Sequence, residues 1–203
     1  MKIGTKSVLF GAHQFLIHPL FLARAWWILY GFPWSPKLWI AFFVHDLGYI
    51  GKLNMDGDEG EQHPYLGARI MGWLFGPEWF DFSLYHSRFL AKQHDRTPSS
   101  LCAADKLATA LEPSWLYLPR VWLTGELIEY MSLAGHKPGS KYSKDNRSDE
   151  ITELLKKETP SNWHRAMTIS CRRWAFNHRN SVLDYSGILE GNVECACQLD
   201  RRR

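Results

Sequence analysis

Four histidines and two aspartates could bind metal ions. His45 and Asp46 are adjacent at the end of the apolar run AFFVHD, where a buried imidazole and a buried carboxylate each need a polar partner. Imidazole and carboxylate together suit divalent transition metals, and helices hold such ligands rigidly around a bundle core. The pattern therefore predicts a site for two metal ions. The other four candidates, which lie in or beside apolar helical stretches, are His18, His63, His86 and Asp105.

Other histidines and other roles are alternatives. His13 precedes His18 by five residues, or about 140° around a helix, so the two side chains cannot point to the same centre. The context HPLFLARAWW favours His18 as the ligand. His94 lies beside charged neighbours and is typical of a surface residue. For the remaining candidates the alternative is structural: a helix cap, a helix entry or a hydrogen-bonded core histidine.

Proline, glycine and serine divide a chain that is helical almost throughout. No stretch alternates with the period of a strand, so we predict an all-α fold. Residues 48–62 are glycine-rich and acidic and predict an irregular loop. The predicted helices are 19–30, 36–46, a third from Pro64 to Gly76, 78–94, one from Ser99 or Ser100 to Pro113, 119–133, 149–158 and 161–178.

Composition changes near Ala134. Residues 135–150 are polar and rich in helix breakers, which indicates a linker or loop. We therefore predict one domain over residues 1–133. A polar linker and a helical C-terminal extension follow over residues 134–203.

The order of the six candidates resembles the HD-domain superfamily of metal-dependent phosphohydrolases. The local contexts agree, because HDLG surrounds the central pair, HPYLGA follows the pattern HPxxGA, and ADKL closes the set. The resemblance covers about residues 13–112, roughly half of the chain. The four defining positions correspond to His18, His45, Asp46 and Asp105, and the two extra histidines of binuclear members correspond to His63 and His86.

The resemblance implies an HD-domain helical bundle around two divalent transition-metal ions. Manganese, iron, cobalt, nickel and zinc suit such ligands, with magnesium as a further candidate. In the binuclear arrangement, Asp46 bridges the two ions. The first ion is held by His18, His45 and Asp105, and the second by His63 and His86.

Charged residues near the ligands are candidates for catalysis and substrate binding. Asp46, Lys52 and Glu61 are the predicted catalytic residues, with Glu59 as an alternative to Glu61. The predicted substrate-binding residues are Lys52, Arg69, Arg88 and Lys106. For each of these basic residues, and for the acidic loop that contains Glu59 and Glu61, the alternative interpretation is an ordinary solvent-exposed position.

Three features depart from the best-known members of the superfamily. Tyr49 stands where many binuclear phosphodiesterases have the lysine of HDIGK. Ser87 follows His86, whereas cyclic dinucleotide phosphodiesterases have a pair of histidines, and their glycine-tyrosine-proline signature is missing. A cyclic dinucleotide substrate is therefore not favoured.

The function implied is hydrolysis of a phosphate ester in a nucleotide or a related small phosphorylated metabolite by a metal-activated water. Two alternatives stay open: an HD-type di-iron oxygenase with the same six ligands, and a non-catalytic metal-stabilised nucleotide-binding module. The six-ligand set leaves open coordination positions, which favours catalysis over a purely structural role.

Composition limits the partners. Residues 136–203 carry a net charge of +4 and residues 1–135 a net charge of −1, and the total of +3 does not favour nucleic acid. Cys102, Cys171, Cys195 and Cys197 lack CxxC spacing and are typical of free thiols in a reducing cytoplasm. A small phosphorylated substrate is the predicted partner, and an oligomer stays open.

The apolar stretch 8–30 is long enough to span a membrane. It contains His13, His18 and Arg24, and a charged arginine inside a span is unfavourable. The stretch therefore predicts a buried helix and no membrane partner.

Overall fold

The structure, a computed structural model, describes residues 1–133 and 148–182. These ranges form eleven helices and no strand, which confirms the all-α class. Short 3-10 turns cover Leu47–Tyr49 and Gly60–Gln62. The helices are α1 Ile3–Phe10, α2 His18–Tyr30, α3 Pro36–Val44, α4 Pro64–Phe75, α5 Pro77–Leu84, α6 Arg88–Gln93, α7 Ser100–Leu111, α8 Ser114–Thr124, α9 Glu126–Leu133, α10 Asp149–Lys156 and α11 Pro160–His178.

Several predicted helix starts are confirmed. Pro36 and Pro64 are the first residues of α3 and α4, where the fixed φ of proline suits a helix and its missing N–H is not needed. Ser99 is the N-cap residue of α7. Ser35 occupies the N-cap position of α3, but its side chain makes no capping hydrogen bond.

The prediction of one helix over 78–94 is wrong, because the chain breaks between α5 and α6. The Tyr85 carbonyl accepts a hydrogen bond from the Ser99 backbone N–H at 2.9 Å instead of continuing the helix. Ser87 Oγ then caps α6 by accepting from the Leu90 N–H at 3.2 Å. The break leaves His86 between the two helices.

The prediction of one helix over 119–133 is also wrong. Helix α8 begins earlier, at Ser114, and Gly125 separates it from α9 with φ of +87°. A positive φ of this size favours glycine. Pro119 therefore lies inside α8, and the Arg120 side chain donates to the Leu116 carbonyl near it at 3.0 Å.

Helix α7 packs extensively against both α2 and α11, while α4 packs against α5. Leu22 of α2, Leu107 of α7 and Ala175 of α11 belong to one buried cluster. The last described helix thus shares its core with the N-terminal helices.

The predicted division into two domains stays a prediction. Residues 134–147 of the linker and residues 183–203, which include Cys195 and Cys197, lie outside the described residues. None of the described helices has both the length and the apolar character that crossing a membrane requires.

Candidate metal centre

The six predicted ligands converge on one centre from five places in the chain. All are buried except Asp105, which is half-buried. They form two groups that could each hold a metal ion, and Asp46 belongs to both. The first group is His18, His45, Asp46 and Asp105, and the second is Asp46, His63 and His86.

Most of the candidate ligands lie at or next to the end of a helix. His18 is the first residue of α2, and His45 and Asp46 directly follow α3. His63 precedes α4, whereas Asp105 lies in the middle of α7. These helix ends therefore meet near α7, which supplies Asp105.

Asp46 presents one carboxylate oxygen to each pair of histidines. Its Oδ2 lies 3.0 Å from His45 Nε2 and 3.7 Å from His18 Nε2. Its Oδ1 lies 3.5 Å from His63 Nε2 and 3.6 Å from His86 Nε2. One carboxylate placed in this way can serve two cations at once.

Asp105 completes the first group. Its Oδ1 lies 3.0 Å from His18 Nε2 and 3.9 Å from His45 Nε2. The Lys106 ammonium approaches its other oxygen, Oδ2, at 3.7 Å. The carboxylate thus faces the two imidazoles with one oxygen and a cation with the other.

Three of the four histidines are oriented by backbone carbonyls. In each case Nδ1 contacts the carbonyl three residues earlier, and a carbonyl can only accept a hydrogen bond, so Nδ1 carries the proton. In the neutral ring, Nε2 then offers a lone pair to the centre. The contacts are His45 to Phe42 at 3.0 Å, His63 to Gly60 at 2.7 Å and His86 to Ser83 at 2.5 Å.

This orientation leaves acceptors facing one another. The Nε2 atoms of His63 and His86 are 3.0 Å apart, and neither has a proton to donate when both rings are neutral. His45 Nε2 and Asp46 Oδ2 are also buried without a hydrogen-bond partner, although they are 3.0 Å apart. A divalent cation in each group would partner these atoms, so the donor set fits metal ions.

The two carboxylates are held ionised. Burial alone would raise the pKa of Asp46, but the charges on His45 and His13 lower that pKa well below its usual value. Burial also opposes ionisation of Asp105, and the hydrogen bond from His18 together with the Lys106 charge lowers its pKa. Ionised carboxylates are the form that binds cations.

The histidines differ in basicity. Burial and the neighbouring His86 lower the pKa of His63 well below its usual value, and burial lowers that of His18. The pKa of His45 is raised, because Asp46 and Asp105 outweigh the effect of burial. His63 and His18 are thus neutral near pH 7, which is the form a metal ligand requires.

Tyr49 fixes the ring of His63. The two rings are stacked with their centroids 3.8 Å apart and their planes 13° apart. Burial, and then the charge on Asp46, raise the pKa of Tyr49 well above its usual value, so the phenol stays neutral. Tyr49 therefore packs against a candidate ligand.

The structure brings two of the four predicted substrate-binding residues together. Lys52 and Arg69 line a groove of about 400 Å³ with Gln62, Tyr65 and Leu66. Gln62 directly precedes His63, so the groove begins next to the second group of ligands.

The other predicted residues lie elsewhere around the centre. The Arg88 guanidinium carbon is 4.8 Å from the centre of the Trp174 ring, so Arg88 contacts α11. Lys106 approaches Asp105, as described above. Glu61 lies in the 3-10 turn that leads to His63. The catalytic and substrate-binding roles of these residues stay predictions.

Sequence reasoning missed a buried glutamate beside the centre. Glu126 is 0% exposed and accepts hydrogen bonds from Ser7 Oγ at 2.6 Å and Thr124 Oγ1 at 2.5 Å. The Tyr130 hydroxyl and the Ala12 backbone N–H also donate to it, both at 3.1 Å. No local pattern indicates this cluster, because Ser7 and Glu126 are 119 residues apart.

His13 connects this cluster to the centre. Its Nδ1 lies 2.9 Å from Ser7 Oγ. With His18, His45 and Asp46, its ring lines a cavity of about 10 Å³. Burial lowers the pKa of His13, but the charges on Asp46 and Glu126 outweigh this and raise it. His13 is not in either ligand group, which agrees with the preference for His18.

Comparison of the chain with protein-family models, with curated proteins and with solved structures gave no match in any of the three. The function is therefore inferred from the chemistry of the centre. Buried imidazoles and ionised carboxylates in two groups can bind cations, and the neighbouring lysine and arginine can bind anions.

Proposed function

We propose that this chain is an HD-type metal-dependent phosphohydrolase. Its substrate would be a phosphate ester of a nucleotide or a related small phosphorylated metabolite. The observation that carries the proposal is the position of Asp46, whose two oxygens face different histidine pairs at 3.0–3.7 Å. A carboxylate shared by two cations is a recurrent feature of sites that hydrolyse phosphate esters.

The chain's residues divide naturally between two divalent ions. His18, His45 and Asp105 would hold one, while His63 and His86 would hold the other, with Asp46 between them. Manganese, iron, cobalt, nickel and zinc suit imidazole and carboxylate, and magnesium is a further candidate. When bound, such ions neutralise charge on phosphoryl oxygens and lower the pKa of a water towards neutrality.

The protein's own groups would orient the substrate. Lys52 and Arg69 line the groove beside His63 and would bind phosphate oxygens through charge-assisted hydrogen bonds. Glu61, in the turn before His63, is proposed to exchange a proton with the substrate. Lys106 would keep Asp105 ionised. Arg88 lies over Trp174 and would therefore bind only those substrate groups that reach α11.

The first experiment measures metal content and hydrolysis in the same preparations. Wild type, Asp46→Asn and Asp58→Asn are purified without chelator; Asp58 is an exposed carboxylate and serves as the matched control. We expect about two transition-metal ions per chain in the wild type and in the control, and a large loss in Asp46→Asn. Hydrolysis of p-nitrophenyl phosphate, bis-p-nitrophenyl phosphate and a nucleotide panel should fall by about 100-fold or more in that variant.

Each of the other possible outcomes would count against the proposed function or favour one of the two alternative functions. A folded wild type without metal overturns the proposal. Bound metal without hydrolysis of any phosphate ester favours the binding module. Bound iron with substrate-dependent oxygen consumption favours the di-iron oxygenase, whose six ligands would be the same.

A further inference from the structure

The strongest unexplained feature of the chain is His13, a fifth histidine at the edge of the candidate metal centre. We propose that His13 positions a water molecule beside Asp46, with its Nε2 as the acceptor and with Ser7 and Glu126 fixing the ring. The inference deepens the proposed function, on which it rests, by adding a positioning residue from the N-terminal segment.

The hydrogen-bond chain determines where the proton of the imidazole lies. Ionised Glu126 can only accept, and Ser7 Oγ has one proton, which it donates to Glu126 at 2.6 Å. The Ser7 oxygen must therefore accept from Nδ1–H of His13, at 2.9 Å. In the neutral ring, Nε2 is left with a lone pair and can accept a hydrogen bond from a water; in the protonated ring, Nε2–H donates to the same water instead, so Nε2 can hold a water in either state.

The ring is also fixed by packing. The centre of the His13 ring lies 4.5 Å from that of Tyr49, which also stacks on the ring of His63 with the centroids 3.8 Å apart. Among the described residues, none forms a hydrogen bond with His13 Nε2, and the side chain keeps 21% of its surface exposed. The lone pair is thus oriented and available.

A cavity of the right size lies next to this ring. Its volume of about 10 Å³ is close to the least that holds one water molecule. His13, His18, His45 and Asp46 supply its polar lining, and apolar groups such as Phe43 supply the rest.

The cavity also offers the partners that a buried water needs. Such a water makes about two to four hydrogen bonds. Asp46 Oδ2 is buried without a hydrogen-bond partner. A carboxylate oxygen has two lone pairs, so Asp46 Oδ2 can face a cation with one and accept a hydrogen bond from a water in the cavity with the other. The second hydrogen of that water is then directed to the neutral His13 Nε2.

A pair of amide substitutions tests the role of Nε2 separately from that of Nδ1. The amide of His13→Asn reaches the position of Nδ1 and keeps the Ser7 contact, whereas that of His13→Gln reaches the position of Nε2. Crystal structures should show an ordered water within about 3.2 Å of residue 13 in the wild type and in His13→Gln but not in His13→Asn. His94→Asn, at an exposed histidine, is the control.

Kinetics supply the second readout, with bis-p-nitrophenyl phosphate as the probe. We expect kcat to fall by about 10–100-fold in His13→Asn with KM and metal content unchanged. In His13→Gln, kcat should stay within a few-fold of the wild type. Such a pattern separates a positioning role from a structural one, because both variants remove the imidazole.

Three results would overturn the inference: no ordered water at His13 in the wild type, equal kcat in both amide variants, or loss of metal from His13→Asn, which would make His13 a ligand. If the crystals hold the water but the wild type has neither metal nor phosphoesterase activity, the proposed function fails. The assignment of the water to His13 then stands on the crystal structures alone.

Discussion

His63 and His86 turn their Nε2 atoms towards each other at 3.0 Å while both hold backbone carbonyls through Nδ1. Two lone pairs at this distance repel unless one ring is protonated or a cation lies between the rings and a neighbouring oxygen. Asp46 Oδ1 provides that oxygen, at 3.5 Å from His63 and 3.6 Å from His86. The second group is therefore distinct from the first, although both use Asp46.

This distinction predicts a partial loss of metal. His86→Ala removes a candidate ligand of the second group only, so we expect about one ion per chain in this variant, in place of the two proposed for the wild type. The measurement is mass spectrometry of the bound metal, with His94→Ala as the control. Loss of both ions from His86→Ala would show that the groups do not bind independently.

The buried position of Glu126 leads to a prediction about the free energy of unfolding and its dependence on pH. Glu126→Gln replaces an acceptor of four donors by an amide whose NH₂ cannot accept, which should lower the free energy of unfolding at pH 7 by about 1–3 kcal/mol. Burial raises the pKa of Glu126, but the contact with His13 and the hydrogen bonds from Ser7 and Thr124 lower it more, to below its usual value of 4.5.

The sign of the pH dependence follows from that lowered pKa. A depressed pKa in the folded state contributes stability above the unfolded value, and the contribution is lost as the pH falls through the folded value. The difference between the wild type and Glu126→Gln should therefore shrink as the pH falls below 4.5. It should also decrease as the pH rises through the raised pKa of His13, because Glu126 stabilises the protonated ring. Urea unfolding at several pH values measures it, and a difference that grows on acidification below pH 4.5 would contradict the assignment.

Single residues also show what sequence can predict about the site. The six candidate ligands, which the structure brings together, were found from the sequence because each lies in a short local pattern, such as HDLG or ADKL. His13 and Glu126 were not, since their connection depends on Ser7 meeting α9 across 119 residues. The roles of Lys52 and Glu61 stay predictions, because they depend on a substrate.

At the scale of elements, the two groups of ligands are kept together by the close approach of α4 to the end of α3. A Cβ on Gly67 of α4 would lie 2.6 Å from the Val44 carbonyl oxygen and 2.8 Å from His45 Cα. Both neighbours are backbone atoms, which cannot move aside as a flexible side chain can. Glycine here sets the distance between His45 and His63.

Gly67→Ala should therefore separate α3 and α4. Alanine favours a helix by about 1 kcal/mol over glycine, but the clash costs about 1–3 kcal/mol, so we expect a net loss of stability. Metal affinity should fall as well, because His63 moves with α4. Leu66→Ala, at an exposed position of the same helix, is the control for both measurements. Unchanged metal affinity in Gly67→Ala would contradict this role.

Local breakers predicted the helices that begin at Pro36 and Pro64, because a proline acts through its own backbone. They did not predict the break at His86. That break depends on a hydrogen bond from Ser99 to Tyr85 and on the Ser87 cap, and only the first of these is non-local. A serine cap within an apolar run was therefore a signal that sequence analysis could have used.

At the scale of the whole molecule, the C-terminal helix α11 is part of the core that supports the centre. Met167 is 1% exposed and packs in a cluster with Val8 and Tyr49 from the N-terminal half. Arg88, two residues after a ligand, lies over Trp174 of the same helix. Stability of the centre should thus depend on residues far from it.

A core substitution in α11 tests this dependence. Met167→Ala should lower the free energy of unfolding by about 2–5 kcal/mol, whereas Phe176→Ala, at a residue 41% exposed, should change it by about 0.5 kcal/mol or less. Circular dichroism and metal release should report the same transition. If the metal is released at the same denaturant concentration in Met167→Ala as in the wild type, α11 does not support the centre.

The packing of α7 against both α2 and α11 has a consequence for synthesis on the ribosome. Every proposed metal ligand has been translated once Asp105 has been added, but α11, which packs against α7, ends only at His178. At about 5–20 residues per second, this interval lasts roughly 3–15 seconds. During it, the nascent chain carries a full set of ligands and an uncovered apolar surface, so metal loading and chaperone binding are expected to compete.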